Sequence, residues 1–312
     1  MPNCAKFDIE KLHYMMNNKA WVFGLISNGS SLYVTRTISC FRNAFGVLCS
    51  SFLICNLQSI SVIFTWCVIV LFGKFSAVSS PELFLPRLVG VLVNGPYYGS
   101  LFSHIFVALN RLCAVAYPIR YNRLWSESKA LAAGIISYIL GTGLCMVHLH
   151  KDCALLFNES FSYRFSYGDS YYGTICSKSD ASASVLIMIM ITCIDFVTLT
   201  KILAYRRAMR KNTLGSTSGA INEREVLFFK QSCLVGFLYI TSVLTLMSHQ
   251  FLFTNKWLLF ASSTILWILM QSMDGVVLLL FNRKVIWKTS LWQTGSVMPT
   301  TNFVRNQATT RN

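Results

Sequence analysis

The sequence reads Asn110-Arg111-Leu112-Cys113-Ala114-Val115-Ala116-Tyr117-Pro118-Ile119-Arg120-Tyr121 at the point where a long apolar run ends and a basic loop begins. A charged side chain at the centre of a membrane helix costs ~2.5–3.5 kcal/mol, and much less near the interface. Arg111 therefore indicates the end of a membrane helix. Two interpretations are open: a functional arginine, or an interface arginine whose charge extends to the lipid headgroups.

The composition is that of a membrane protein. Hydrophobic residues make up 54% of the 312-residue chain and charged residues only 12%, against about 25% charged residues in a typical soluble domain. The chain is long enough for seven spans with short loops, and it is too apolar for two water-soluble domains. No cleavable signal peptide is visible, because the first 19 residues are polar and include Asp8 and Glu10.

The distribution of charge argues against nucleic acid as a partner, although the net charge of +15 could suggest it. Of the 27 Lys and Arg residues, 18 lie at Arg111 or in the segments 36–43, 117–129, 201–230 and the tail from 282. These segments alternate with others that carry most of the acids. Such alternation is the positive-inside pattern of a protein in a lipid bilayer, and it predicts that the basic segments are cytoplasmic.

Six apolar runs are long enough to cross a bilayer, which takes ~20 helical residues. They cover roughly 44–72, 88–116, 130–150, 183–205, 226–252 and 257–281. We predict a seventh helix, first in order, over 20–35, although Ser27, Asn28 and Gly29 at its centre make it weak. A helix there keeps the basic segment 36–42 on the cytoplasmic side. The alternative, that the chain has lost its first span, stays open.

Three features inside the spans are candidates for function. Asn94-Gly95-Pro96 predicts a kink in the third span, because proline removes a backbone donor; such kinks open cavities or serve packing. Asp274 in the last span is a candidate because an intramembrane acid is costly. Asp195 in the fifth span is either a switch residue or a helix-packing hydrogen bond.

Signals of enzymatic chemistry are missing. We find no metal-ligand cluster, phosphate-binding glycine loop or nucleophile elbow, and His148 and His150 are two apart and do not share a helix face. We therefore expect no enzymatic activity, no cofactor and no bound metal. Asn158-Glu159-Ser160 matches the glycosylation acceptor pattern, so we expect Asn158 on the outer side.

The opening segment resembles the third-helix signature of rhodopsin-like G-protein-coupled receptors. In that signature an Asp-Arg-Tyr triplet is followed at fixed spacing by an Ala-Ile pair, by Pro-Leu and by a tyrosine. Asn110 replaces the aspartate and Leu112 replaces the first tyrosine, whereas Arg111, Pro118 and Tyr121 occupy matching positions. The resemblance favours a functional role for Arg111.

Several further segments resemble the nematode serpentine receptor class X chemoreceptors. They are Phe41–Cys49 at the start of the second span, Cys153 and Cys176 beside an aromatic loop, Glu225 with 228–232, and Asp274-Gly275 with Phe281-Asn282. The resemblance covers roughly 24–286. It implies an all-α membrane protein, a bundle of seven transmembrane helices with the amino end outside and the carboxyl end inside. The first helix of this chain is short and weak, because family members usually have a longer apolar run there.

The resemblance also implies a function and its residues. A small-molecule ligand is expected to enter from the extracellular side into a pocket that draws on Pro96, Tyr97, Tyr98, Trp267 and Gln271. Binding is expected to shift the sixth helix outward and to free Arg111, which then receives a heterotrimeric G protein. The switch residues implied are Asn110, Arg111, Pro118, Tyr121, Glu225 and Asp274. The candidates for the inactive-state partner of Arg111 are Glu223 and Glu225, of which Glu225 is nearer the span.

We expect a disulfide between Cys153 and Cys176, because both fall in the second outer loop, 151–182, on the oxidising side. Most rhodopsin-like receptors bond this loop to the outer end of the third helix. No cysteine lies near that end, which falls around Pro86.

The resulting organisation is an extracellular segment over 1–19, a receptor domain over 20–286 and a cytoplasmic tail over 287–312, in the plasma membrane. Two other interpretations stay open. One is a receptor-derived membrane protein with a degraded first helix that no longer signals alone. The other is a transporter, which is disfavoured because the chain shows no internal repeat and few intramembrane charges.

Overall fold

A computed structural model describes residues 2–73, 80–158, 164–211, 230–231, 233–242, 244–245, 248 and 255–295. Over these residues the chain is almost entirely helical. The helices are α1 (Pro2–Thr37), α2 (Ala44–Gly73), α3 (Phe84–Ala116), α4 (Tyr121–Leu124), α5 (Glu127–Cys145), α6 (Tyr171–Lys211), α7 (Cys233–Ser242), α8 (Lys256–Phe260) and α9 (Leu266–Gly295). A π-helical turn, Ala261–Ile265, joins α8 to α9.

Five helical segments among the described residues are long and apolar enough to span a membrane. They are Ala44–Val70, Phe84–Ala116, Glu127–Leu149, Tyr171–Tyr205 and Leu258–Arg283. Each overlaps one of the predicted runs. The described part of the predicted sixth run is the shorter apolar helix α7, and the weak first run lies within α1.

The polar residues that weaken the first run form its contact with the last helix. Ser27 Oγ donates to the Ser272 carbonyl oxygen at 3.1 Å, and Ser31 Oγ donates to that of Gly275 at 2.7 Å. Asn28 is fully buried, and its Nδ2 lies 3.3 Å from the Gln271 carbonyl oxygen. Hydrogen bonds between helices take the place of apolar surface here. The run over 20–35 is thus part of a longer helix, α1, and its polar side chains contact the last helix.

α3 lies at the centre of the bundle, in contact with α2, α5 and α6. The helix continues through Pro96 without a break. It approaches α5 closely, because a Cβ added at Gly141 would lie 2.5 Å from the Gly95 carbonyl oxygen. Small residues allow two backbones to approach this closely, which holds α3 and α5 in register.

The fifth helix begins earlier than the sequence predicted. α6 starts at Tyr171 and not near 183, because Ser170 caps its first turn: the Gly173 backbone N–H donates to Ser170 Oγ at 3.0 Å. Cys176 and Asp180 therefore lie in a helix, whereas the prediction placed them in the outer loop. A disulfide joins Cys176 to Cys153, with a Cα–Cα distance of 5.6 Å.

A β-hairpin covers one end of the bundle. Its strands, β1 (Leu156–Asn158) and β2 (Arg164–Ser166), are antiparallel, with Phe157 opposite Phe165. Phe157 is buried in a cluster with residues of α2, α3 and α9. We refer to this end as the hairpin end and to the opposite end as the Arg111 end.

Candidate functional site

A cavity of about 640 Å³ lies at the hairpin end, between β2, α6, the π-helical turn and α9. Two of the predicted pocket residues, Tyr97 and Trp267, line it. Their rings meet edge to face, with 5.9 Å between the ring centroids. The ring of Phe165 in the hairpin meets that of Trp267 in the same way, also with 5.9 Å between the centroids. The hairpin thus supplies part of the aromatic wall.

The other three predicted pocket residues do not line this cavity. Pro96 is buried within α3. Tyr98 is fully buried, and its hydroxyl lies 2.8 Å from Asp180 Oδ1 on the cavity wall. Gln271 is fully buried and donates from Nε2 to Ser59 Oγ at 3.0 Å. The spacing of these residues along their helices could not distinguish a pocket from the packing behind it.

Asp180 organises a polar cluster beside the cavity. Its Oδ1 accepts hydrogen bonds from Asn94 Nδ2 at 2.9 Å and from the Tyr98 hydroxyl at 2.8 Å. Burial, with the Asp180 carboxylate next in importance, raises the pKa of Tyr167 on the adjoining loop well above its usual range. Its hydroxyl is therefore protonated at neutral pH. The sequence prediction missed Asp180, because it assigned this residue to a loop.

His148 supports the cluster as a neutral imidazole. Its Nδ1 lies 3.1 Å from the Cys153 carbonyl oxygen, which can only accept a hydrogen bond, so Nδ1 carries the proton. Its Nε2 lies 3.0 Å from Asn94 Nδ2, which can only donate. The Asn94 amide therefore donates to both His148 and Asp180.

Asp274 forms a second polar cluster in the middle of the bundle. It is buried, and its Oδ2 accepts from Asn56 Nδ2 at 2.8 Å, from His104 Nε2 at 3.2 Å and from the Tyr239 hydroxyl at 3.0 Å. Helices α2, α3, α7 and α9 thus meet at one carboxylate. The sequence singled out Asp274, but its partners come from positions 35 to 218 residues away and gave no signal of their own.

Arg111 forms an ion pair across the Arg111 end. One of its terminal nitrogens, Nη2, lies 3.5 Å from Asp195 Oδ1 on α6, and both side chains are about nine-tenths buried. Its Nε also donates to the Val107 carbonyl oxygen at 3.3 Å. Glu223 and Glu225, the candidate partners, lie outside the described residues, so the pairing of either with Arg111 stays a prediction.

The remaining switch residues lie around the end of α3: Asn110 belongs to α3, Pro118 to the turn that follows it, and Tyr121 begins α4. Asn110 Nδ2 donates to the Tyr121 hydroxyl at 3.1 Å, so Asn110 connects α3 to the loop after it. Pro118 is exposed just beyond the end of α3, where it prevents the helix from continuing. A cavity of about 20 Å³ separates this end from the second cluster, and both Arg111 and Asp274 line it.

The two remaining site predictions concern glycosylation and metal. Asn158 ends β1, and its side chain lies outside the described residues, so its glycosylation stays a prediction. Within the described residues, the His, Cys, Asp and Glu side chains form no group of three that could hold a metal ion.

Comparisons with known proteins connect this arrangement to one family. The model of the serpentine type 7TM GPCR chemoreceptor Srx family matches residues 20–282. The chain is 26% identical over 282 residues to "Serpentine receptor class X-43" of Caenorhabditis elegans, an alignment that covers 82% of this chain and 81% of that protein. It is 22% identical over 207 residues to "Serpentine receptor class X 45" of the same organism, covering 59% of this chain and 55% of that protein.

Proposed function

Because this chain belongs to the Srx family of serpentine seven-transmembrane chemoreceptors, we propose that it binds a small molecule at the hairpin end and activates a heterotrimeric G protein at the Arg111 end. In this proposal the hairpin end faces the outside of the plasma membrane. The carboxyl end faces the cytoplasm, as the distribution of basic residues favours.

The observation that carries the proposal is that one helix, α9, takes part in both the ligand cavity and the buried cluster next to Arg111. α9 contributes Trp267 to the ligand cavity and, two turns further on, Asp274 to the second cluster. Tyr239 of α7 donates to Asp274, and Asp274 shares the small cavity with Arg111. A ligand that moves Trp267 would therefore act on α7 through Asp274 and Tyr239.

The mechanism is a shift between two populations of one receptor. In the inactive population, Asp195 holds Arg111 at 3.5 Å. A ligand that binds better when α7 has moved away from Asp274 favours the active population. Arg111 then leaves Asp195 and contacts the G protein together with the basic cytoplasmic segments.

The alternative of a receptor relative that no longer signals depended on the weakness of the first span. α1 makes hydrogen bonds to the last helix through Ser27 and Ser31, which is the behaviour of an intact bundle helix. The first span therefore gives this alternative no particular support.

We test the proposal with Arg111→Ala in cells that report G-protein activation. Ligand-stimulated activation is expected to disappear while the receptor stays at the cell surface. Lys151→Ala, which removes an exposed cation at the hairpin end and outside the cavity lining, is the control and should signal normally. Normal signalling by Arg111→Ala would contradict the mechanism.

The orientation is tested separately with a tag on each end of the chain. We expect antibodies to label the amino-terminal tag in intact cells and the carboxyl-terminal tag only after permeabilisation. If both tags stay hidden until permeabilisation, in cells shown to carry the receptor at the surface, an even number of spans is indicated and the orientation is wrong.

A further inference from the structure

Among the described residues, no cation forms an ion pair with the Asp180 carboxylate. The hydrogen bonds to it come from neutral groups: Asn94 and Tyr98 donate to Oδ1, and the Tyr167 hydroxyl also interacts with the carboxylate. His148 is neutral in this cluster, as its hydrogen bonds require. A partly buried carboxylate without a counter-charge is unfavourable, and an incoming cation would relieve this.

The other charged groups that line the cavity do not fill this role. Burial lowers the pKa of Arg164, and the negative charge of Asp169 opposes this lowering. Lys178 is exposed, and none of the ion pairs among the described residues includes Asp180. The carboxylate of Asp180 therefore gives the ligand space a local negative charge.

The rest of the cavity suits the body of an organic cation. Tyr97, Phe165 and Trp267 line it with aromatic rings, and aromatic rings attract ammonium groups through the negative potential of their faces. Thr264 also lines the cavity; it is buried, and its hydroxyl oxygen has no hydrogen-bond partner among the described residues. This residue belongs to a π-helical turn, a form that often occurs at functional sites.

We infer that the cavity selects small organic amines, with the ammonium group against Asp180 and the carbon skeleton between the aromatic rings. This inference rests on the proposed function, because it names the ligand class of the same cavity. The Thr264 hydroxyl provides a second polar contact for a ligand that carries a hydrogen-bonding group away from its ammonium.

The first test uses the unmodified receptor, purified in lipid nanodiscs, and pairs of compounds that differ in one group. Phenethylamine, tyramine and benzylamine are each compared with the alcohol in which a hydroxyl replaces the ammonium. We expect at least one amine to bind about ten- to hundredfold more tightly than its alcohol, as a charge-assisted hydrogen bond predicts. Equal binding within every pair, or no binding by any amine, would overturn the inference.

The second test changes the carboxylate. Asp180→Asn should bring the affinity for that amine to within about threefold of its alcohol, since the amide keeps the shape but loses the charge. Asp180→Glu should keep the preference. Asp152→Asn, which neutralises an acid at the same end of the molecule but outside the cavity lining, is the control and should also keep it. If Asp180→Asn still prefers the amine, or if Asp152→Asn loses the preference, Asp180 is not the counter-charge.

Binding and signalling are measured separately, so the two proposals can fail independently. An amine that binds through Asp180 but never activates a G protein in cells keeps the inference and contradicts the proposed function. A neutral compound that activates a G protein, and whose binding is unchanged in Asp180→Asn, supports the proposed function and contradicts the inference. If Asp180→Asn does not fold, the comparison of amines with alcohols on the unmodified receptor decides.

Discussion

The ion pair between Arg111 and Asp195 connects α3 to α6 at the end of the bundle where we place the G protein. Each side chain is about nine-tenths buried, so neither charge is well solvated once its partner leaves. A charge pair in such a setting stabilises one arrangement of the two helices and opposes their separation. We therefore assign it to the inactive population.

Asp195→Asn is expected to raise ligand-independent signalling, because it removes the negative charge that pairs with Arg111 while it preserves the size of the side chain. Basal G-protein activation at matched surface expression is the measurement. Asp195→Glu keeps the charge and serves as the control. Unchanged or lower basal activity in Asp195→Asn would indicate that the pair does not hold the receptor inactive.

Asp274→Leu is expected to lower the thermal stability of the purified receptor. The substitution removes the acceptor of His104 and Tyr239 and leaves Asn56 Nδ2 with only the Gln271 carbonyl oxygen. Each donor left without an acceptor costs about 1–3 kcal/mol. Asp274→Asn should lower the unfolding temperature less, because its amide oxygen still accepts. Equal unfolding temperatures for Asp274→Leu and the unmodified receptor would show that Asp274 does not organise this cluster.

At the level of elements, the contact between α1 and α9 combines small residues with hydrogen bonds to backbone oxygens. A Cβ added at Gly275 would lie 2.7 Å from the Ser27 carbonyl oxygen, and one added at Gly24 would lie 2.6 Å from Ser272 Oγ. The two helices are therefore as close as their backbones allow. The low hydropathy of the first run results from this contact.

Gly24→Val is expected to destabilise the bundle by about 1–3 kcal/mol, the usual effect of overpacking. Gly29→Val is the matched control on the same helix, because a Cβ there would meet nothing within 4 Å. The unfolding temperatures and surface levels of the two variants are compared. Similar loss in both variants would implicate the helix propensity of valine and not the contact with α9.

For the whole molecule, the sequence predicted the fold class and the family, and both predictions are confirmed. Long apolar runs and the alternation of basic loops depend on local composition, so they can be recognised without the structure. The predicted start of α6 was wrong, because the first turns of this helix, which Ser170 caps, are polar and have the composition of a loop. The division at 19 and 286 stays a prediction.

The contacts within the clusters could not be predicted from the sequence. Asp195 beside Arg111, and His104 and Tyr239 beside Asp274, depend on how helices distant in sequence are rotated against each other. Apolar periodicity does not determine that rotation for helices surrounded by lipid. The cavity residues show the same limit, because Tyr97 lines the cavity whereas its neighbours Pro96 and Tyr98 do not.

The dependence of α1 on α9 has a consequence for biosynthesis. Ser27 and Ser31 take their acceptors from residues about 245 positions later, so a ribosome makes the first helix long before its partner exists. Until then these hydroxyls face lipid without those acceptors. We expect that α1 inserts into the membrane in only a fraction of the nascent chains that stop at residue 255. This fraction is measured by modification of an amino-terminal glycosylation tag. Complete insertion at that length would show that α1 inserts without α9. Full insertion only when a separately synthesised α9 is added would identify the last helix as the element that keeps the first helix in the bilayer.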